Sequence, residues 1–302
     1  MCALQVTRHP LLACPVAVER LYGVPRYSFP MLNILLIGDI VGSSGRAAVA
    51  KVLPSWKAAH NVHFVIANAE NVAHGKGVTR ETLDEVFACG VDAATSGNHI
   101  WAFPEAHDIL RDKTVPLLRP GNFSDKLPGK GYRVFNAGTR RILVANFMGQ
   151  AAMHQHLNSP FEAADKMLSD FGLPGSDADE SVHAIVIDWH CELTSEKKAL
   201  GWYLDGRVSA VLGTHTHVPT CDERILPKGT AYQSDVGMAG SLNSILGVEV
   251  EENLKRFTLQ ITSRLPVAER SPAEVSATLV AVNPSTGLAE RVERLHEIVD
   301  IQ

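Results

Sequence analysis

The chain predicts an α/β fold, a sheet or two stacked sheets with helices outside. Three observations carry that prediction. From Leu32 onward, short apolar and β-branched runs alternate with longer helix-like segments. Glycine, proline and capping residues punctuate the joins. Several apolar runs end in clusters of carboxylates, amides and imidazoles, as happens where an α/β sheet builds a site at the carboxyl ends of its strands.

The elements follow in order. Residues 32–40 are apolar and β-branched up to Gly38 and read as a buried strand. Residues 46–60 read as a helix, with Pro54 marking a kink or boundary. A second strand is expected at 63–69. A helix is expected at 79–89: Thr79 suits the N-cap, Thr82 and Glu85 add a weaker signal, and Gly90 stops it. Residues 91–96 form the third expected strand, and Pro104 opens a helix over 104–111. Residues 116–131 hold three Pro and three Gly, which marks a loop. Strands at 132–136 and 141–147 are joined by Ala137, Gly138 and Thr139. Residues 160–171 are helical, and an acidic loop runs on to Glu180. Strands at 182–188 and 208–213 flank a helix at 195–204, with Ser195 expected as N-cap and Glu196 favouring the helix dipole. The tail predicts a helix at 251–259 and a hairpin of 277–282 with 289–295, turning at 283–287.

The bulk numbers bound the function. With 302 residues, 45% hydrophobic and 20% charged, the chain has an ordinary globular composition. A net charge of −5 argues against a general nucleic-acid-binding surface but not against a small anionic substrate. Five cysteines without a CxxC pair argue against a disulfide framework and for a reducing, cytoplasmic setting. No apolar run reaches the ~18 residues of a membrane span. Leu11, Leu12, Ala13 and Cys14 loosely resemble a lipoprotein cleavage box, but Gln5, Thr7, Arg8, His9 and Pro10 leave no apolar core before it. Residues 1–30 are therefore read as a disordered or appended extension, with Met31 as a natural start, and 31–302 as a single domain.

The polar clusters carry the chemistry. They are Gly38-Asp39, Asn68-Ala69-Glu70-Asn71, Gly97-Asn98-His99, Asp188-Trp189-His190 and Gly213-Thr214-His215-Thr216-His217. Oxygen and nitrogen donors without thiolates suit Mn, Fe or Zn. His215 and His217 share a face if their segment is extended. Asp188 sits two residues before His190 on the same strand face and reads either as the group that orients it or as a plain strand-end carboxylate. Glu192 and Lys197 read as residues that cap and charge a helix rather than ligate metal, and Cys191 and Cys221 as packing groups or groups behind the ligands, with thiolate ligation the lesser alternative. Lone histidines such as His60, His63, His107, His183 and His296 read as surface or satisfied core, and His74, His154 and His156 as loop residues near the rim.

Taken in order, these blocks resemble the calcineurin-like metallophosphoesterases, and most closely their YmdB-type bacterial branch. Asp39-Ile40-Val41-Gly42, Asn98-His99-Ile100-Trp101, Thr194-Ser195-Glu196-Lys197 and Asp235-Val236-Gly237-Met238 look like that branch, over about residues 31–298. The resemblance implies a four-layer α/β/β/α sandwich and two divalent or mixed-valence metal ions. Asp39 and His217 would hold the first ion, Asn98, His190 and His215 the second, and Glu70 would bridge them. Val41 stands where the wider superfamily carries a histidine, so Asn71 is the implied substitute ligand. His99 is the implied general acid for the leaving oxygen; the alternative is a hydrogen-bonding histidine behind the ligands. Ile100 follows it where an acidic partner often stands, so the sequence does not say what orients His99. The implied activity is a phosphodiesterase for cyclic or small nucleotides, using a hydroxide between the metals. A phosphomonoesterase or phosphoprotein phosphatase on the same site, or a non-catalytic regulatory metal-binding protein, are the alternatives. A homo-oligomer stays open.

Overall fold

Period-two alternation along the strands dictates the layers. The computed structural model describes residues 31–175, 181–261 and 264–301; the reading of 1–30 falls outside them. The first half runs β1 (Leu32–Ile40), α1 (Gly42–Ala59), β2 (Phe64–Asn68), α2 (Arg80–Ala88), β3 (Ala93–Thr95) and α3 (Ala106–Arg111). Next come β4 (Tyr132–Ala137), β5 (Arg140–Met148), α4 (Pro160–Phe171), β6 (Ala184–His190), α5 (Thr194–Tyr203) and β7 (Ala210–Thr214). Last are β8 (Arg224–Ile225), β9 (Ala231–Gln233), β10 (Met238–Ser241), α6 (Val250–Leu259), β11 (Ala273–Val282) and β12 (Ala289–Val299).

These strands form two mixed six-stranded sheets, ordered β12-β11-β10-β1-β2-β3 and β4-β5-β6-β7-β9-β8. Even-numbered apolar residues of β1, β2, β5, β6 and β7 meet between the sheets: Ile34, Leu36, Phe64, Ile66, Ile142, Val144, Val186 and Leu212 share one core. The odd-numbered residues face outward. Leu35, Ile37 and Val65 pack beneath α1, α2 and α3 through Val49, Leu83 and Ile109. Leu143, Ile185, Ile187 and Val211 pack beneath α4 and α5 through Met167 and Leu200. The result is the expected α/β/β/α sandwich. Among the described residues no helix is long and apolar enough to cross a membrane.

Several boundaries differ from the sequence reading. Helix α1 begins at Gly42 and runs straight through Pro54. Its buried face continues on both sides, through Val49, Val52 and Trp56, and that packing outweighs the hydrogen bond Pro54 removes. Helix α5 begins at Thr194 with Leu193 at the N-cap and no side-chain cap, so Ser195 is not the cap. Glu196 stands in the first turn as expected and also accepts the amides of Gln150 and Ala151 at 2.9 and 3.2 Å. Strands β8, β9 and β10 span two to four residues and are too short for periodicity to reveal. Thr79 caps α2 as expected, in a reciprocal capping box with Thr82.

Candidate metal centre

The same alternation places the polar clusters. Counting in steps of two from the inter-sheet core, Asn68, Glu70, Asp188, His190 and Thr214 continue the inner faces of β2, β6 and β7 beyond the apolar layer. Asp39 breaks this parity, since Ile37 faces outward. A register shift between Ile37 and Asp39 in the β1–β2 ladder re-aims it inward. The 234–237 crossover then ties the two sheet edges together. Val236 N donates to Gly213 O at 2.8 Å and Asp39 N to Gly237 O at 3.1 Å. Only glycine fits at these approaches: a Cβ on Gly213 would lie 1.7 Å from Ser234 O, and one on Gly38 1.9 Å from Gly237 O.

The side chains converge on two neighbouring points. At the first, His190 Nε2 lies 3.1 Å from Glu70 Oε1 and 3.0 Å from both Asn98 Oδ1 and His215 Nδ1. At the second, His217 Nε2 lies 3.7 Å from Asp39 Oδ1 and 3.3 Å from the Asn71 amide. Asp39 Oδ2 accepts the His215 backbone N–H at 3.0 Å and so joins the two points.

Each histidine has its other ring nitrogen tied to an acceptor. Thr214 Oγ1 spends its proton on Asp188 Oδ1 at 2.6 Å, so it accepts from His190 Nδ1 at 2.9 Å. His215 Nε2 faces Glu192 Oε2 at 3.1 Å. His217 Nδ1 donates to Leu246 O at 3.0 Å. These partners put the protons on the outward nitrogens and leave three lone pairs aimed inward. Lone pairs of Glu70, Asn98, His190 and His215 then face one another with no proton between them. Asp39 Oδ1 is buried with no hydrogen-bond partner. Among the described residues, Glu70, His190 and His215 offer donor atoms all within 4.8 Å of one another. This donor set fits a cation, with outer partners orienting the inner ligands.

The YmdB-like protein family matches residues 35–295. The chain belongs to that family. It is 43% identical over 265 residues to the 2′,3′-cyclic-nucleotide 2′-phosphodiesterase of Bacillus subtilis (strain 168), covering 87% of this chain and 96% of that protein. A crystal structure of a hypothetical protein from Thermus thermophilus superposes with a TM-score of 0.80 at 38% identity, covering 89% and 100% of the two chains. A novel phosphatase from Mycoplasma pneumoniae gives a TM-score of 0.81 at 29% identity, covering 89% and 94%.

Electrostatics in this YmdB-like site follow burial. Burial lowers the His190 pKa to about 4 and that of His215 to about 3, so both rings are neutral near pH 7, as ligands must be. Burial raises Asp39, against the pull of His217, and raises Asp188 to about 7. His99 donates its backbone N–H to Glu70 Oε2 at 2.9 Å, and its Nε2 lies 3.3 Å from the Asn98 amide nitrogen. That amide is the partner the sequence left open. Burial also lowers the His99 pKa, with Glu70 pulling the other way.

Other expectations need correction. His215 and His217 are not on an extended segment: β7 ends at Thr214, and the two residues take φ of 99° and 66°. They reach neighbouring points because the turn swings them, not because strand parity aligns them. Lys197 lies buried within α5 and does more than charge that helix. Its buried ammonium bonds Asp235 Oδ2 at 2.5 Å and Thr214 O at 2.9 Å, while Asp235 accepts the amides of Thr216 at 3.1 Å and Gly237 at 2.9 Å. This pair braces the turn that carries both histidines. Glu192 holds His215 rather than capping a helix. Asp188 makes no direct bond to His190: it reaches the ring through Thr214 and through Asn68, whose amide nitrogen lies 2.9 Å from Asp188 and 3.4 Å from His190 Nδ1, and it also accepts from Thr95 at 2.5 Å. The Cys191 thiol donates to Glu196 at 3.2 Å, and burial pushes its pKa up, away from ligation. Asn68, Thr95 and Thr214 were missed by sequence reasoning, although counting by two from the core would have placed them on the inner face.

Proposed function

We propose that the chain is a metal-dependent phosphodiesterase acting on 2′,3′-cyclic or similarly small nucleotides. The observation that carries this reading is the set of three histidines whose outward nitrogens are held by Thr214, Glu192 and Leu246, so that their lone pairs meet those of Asp39, Glu70 and Asn98. Asp39, Asn71 and His217 would hold one ion, Asn98, His190 and His215 a second, and Glu70 would lie between them. Bound ions supply Lewis acidity toward a phosphoryl oxygen and acidify water near neutral pH. The protein's own groups do the rest. The buried carboxylates and neutral imidazoles fix the donor positions before substrate arrives, so little reorganisation accompanies reaction. Asn98 joins the two functions: its oxygen faces His190 and its nitrogen holds the His99 ring. Burial favours the neutral form of that ring, against the pull of Glu70. The negative charge of a diester favours its protonated form, which then gives the proton to the departing alkoxide. A phosphatase reading is favoured by the name of the Mycoplasma pneumoniae relative.

The test is a metal analysis combined with rates on a bis-ester, a mono-ester and a 2′,3′-cyclic nucleotide. The expected result is bound Fe, Mn or Zn and preference for the diesters. Faster mono-ester cleavage would support the phosphatase, and hydrolysis of none would support a non-catalytic role. His99→Ala is expected to lose roughly 10²–10⁴-fold with an alkoxide leaving group. It should lose far less with nitrophenolate, at unchanged metal content; equal losses with depleted metal would overturn the acid role.

A further inference from the structure

A cavity of about 340 Å³ opens on the 149–158 loop, lined by Gln150, Gln155, His156, Leu157 and Asn158. The loop starts at the metal centre. Met148 pairs in register with His190, and Gly149 N donates to His190 O at 3.0 Å. The loop is also rigidly held. Buried Asn122 clasps both ends: its side chain bonds Met148 N and O at 2.9 and 2.7 Å and Asn158 O at 3.1 Å. Glu196 anchors the amides of Gln150 and Ala151, and Gln150 Nε2 crosses the loop to Leu157 O at 2.9 Å. Yet the side chains of Gln155 and Asn158 have no partner among the described residues. A braced loop with uncommitted amides, continuous with the strand end that pairs with His190, has the character of a recognition loop.

We propose that this cavity receives the nucleobase of the substrate, with Gln155 and Asn158 bonding its polar edge and Leu157 and His156 lying against its face. Each amide offers both donors and an acceptor, as a base edge requires. The lining carries no Lys or Arg for a second phosphate, and the volume suits one small ligand rather than a polymer. The inference rests on the nucleotide reading of the metal centre.

The test is the Gln155→Ala/Asn158→Ala double variant, assayed on 2′,3′-cyclic AMP and on bis(p-nitrophenyl) phosphate, which has no base. Binding of 2′-AMP and of inorganic phosphate is measured alongside by calorimetry. The cyclic nucleotide KM should rise about tenfold or more, while kcat/KM on the base-free diester stays within about twofold. Tighter binding of 2′-AMP than of phosphate should disappear. An unchanged nucleotide KM, or equal losses on both substrates, overturns the subsite. So does a wild type that binds 2′-AMP no better than phosphate, and that result leaves the phosphoesterase reading standing. A wild type that binds 2′-AMP through these residues without cleaving the cyclic nucleotide overturns the nucleotide hydrolysis and keeps the subsite.

A separate observation concerns α6. Only Asn253 of this ten-residue helix is buried, while Val250, Leu254 and Phe257, at i, i+4 and i+7, are 37%, 50% and 71% exposed. So short a helix is marginal alone in water, and its apolar stripe needs cover. The charges name the cover. Glu251 and Arg256 flank the stripe on its two sides, while Lys255 and Glu252 pair with each other at 2.6 Å on the back of the helix. An antiparallel copy of the same helix would set Val250 against Phe257 and Glu251 against Arg256. The geometry points to a two-fold dimer of this chain through α6.

Light scattering should give twice the 32.7 kDa chain mass for the wild type and the single mass for Leu254→Glu/Phe257→Glu. Both side chains are exposed, so the melting temperature should hold. Glu251→Lys should weaken the dimer and Glu251→Lys/Arg256→Glu restore it. A monomeric wild type, or a dimer indifferent to these changes, overturns the inference.

Discussion

At the scale of single residues, Glu70 carries the sharpest expectation. It is buried, with Oε1 on His190 and Oε2 on the His99 amide. Glu70→Gln keeps the shape and the acceptor for His99 but removes the charge that would offset two cations. The variant should fold, lose most bound metal and lose most turnover; metal analysis beside a diesterase assay checks both. Asp235 is a different kind of residue. Asp235→Asn leaves the Lys197 ammonium buried without its counter-charge, at a cost of about 3–5 kcal/mol. Denaturant melts should show that loss, and restoration of stability by adding Lys197→Met would confirm that the unpaired charge causes it. The ligand-type residues were legible because they end apolar runs. The groups that hold them were not. Glu192, Lys197 and Leu246 O act at positions that only the folded turn between β7 and β9 brings into reach.

At the scale of elements, local signals worked where they were strong. Thr79 and Gly90 bound α2 as read, and Ser159 with Pro160 opens α4. Thr79→Ala removes half of the capping box and should cost about 1 kcal/mol, seen as a lower melting temperature without loss of metal. Signals failed where packing overrode them or the element was short. Pro54 reads as a break, yet the buried stripe of α1 carries the helix past it. Strand β10 has four residues and exists because β1 and β11 flank it, pairing with Met238 and Ala239 on one side and Ala239 to Ser241 on the other.

At the scale of the molecule, the centre straddles two sheets. Asp39, Glu70, Asn71, Asn98 and His99 extend from β1, β2 and β3, while His190, His215 and His217 extend from β6 and β7. Ions held from both sides would therefore link the halves of the sandwich. Excess Mn²⁺ should raise the melting temperature, by the equivalent of about 2.7 kcal/mol at a hundred times Kd, and a chelator should reverse the rise. Glu70→Gln should lose most of this effect. Scanning calorimetry with and without metal checks it, and a transition indifferent to metal would argue against ligation across the sheets.

The sequence by itself determined the α/β class and the inventory. Period-two and period-3.6 patterning set which face of each element is apolar, and strand ends ordered the donors Asp39, Glu70, Asn98, His190, His215 and His217 along the chain, while the two-sheet layering rested on the family resemblance. Tertiary structure alone decided how those donors point. The register shift at Asp39, the left-handed turn at His215 and His217, and the partners that fix each imidazole proton all depend on contacts between distant segments. Periodicity reports burial one element at a time, whereas a ring's orientation is set by what packs against it from another element. The physics that makes the centre chemically competent therefore lies in long-range hydrogen bonds that a one-dimensional pattern does not encode.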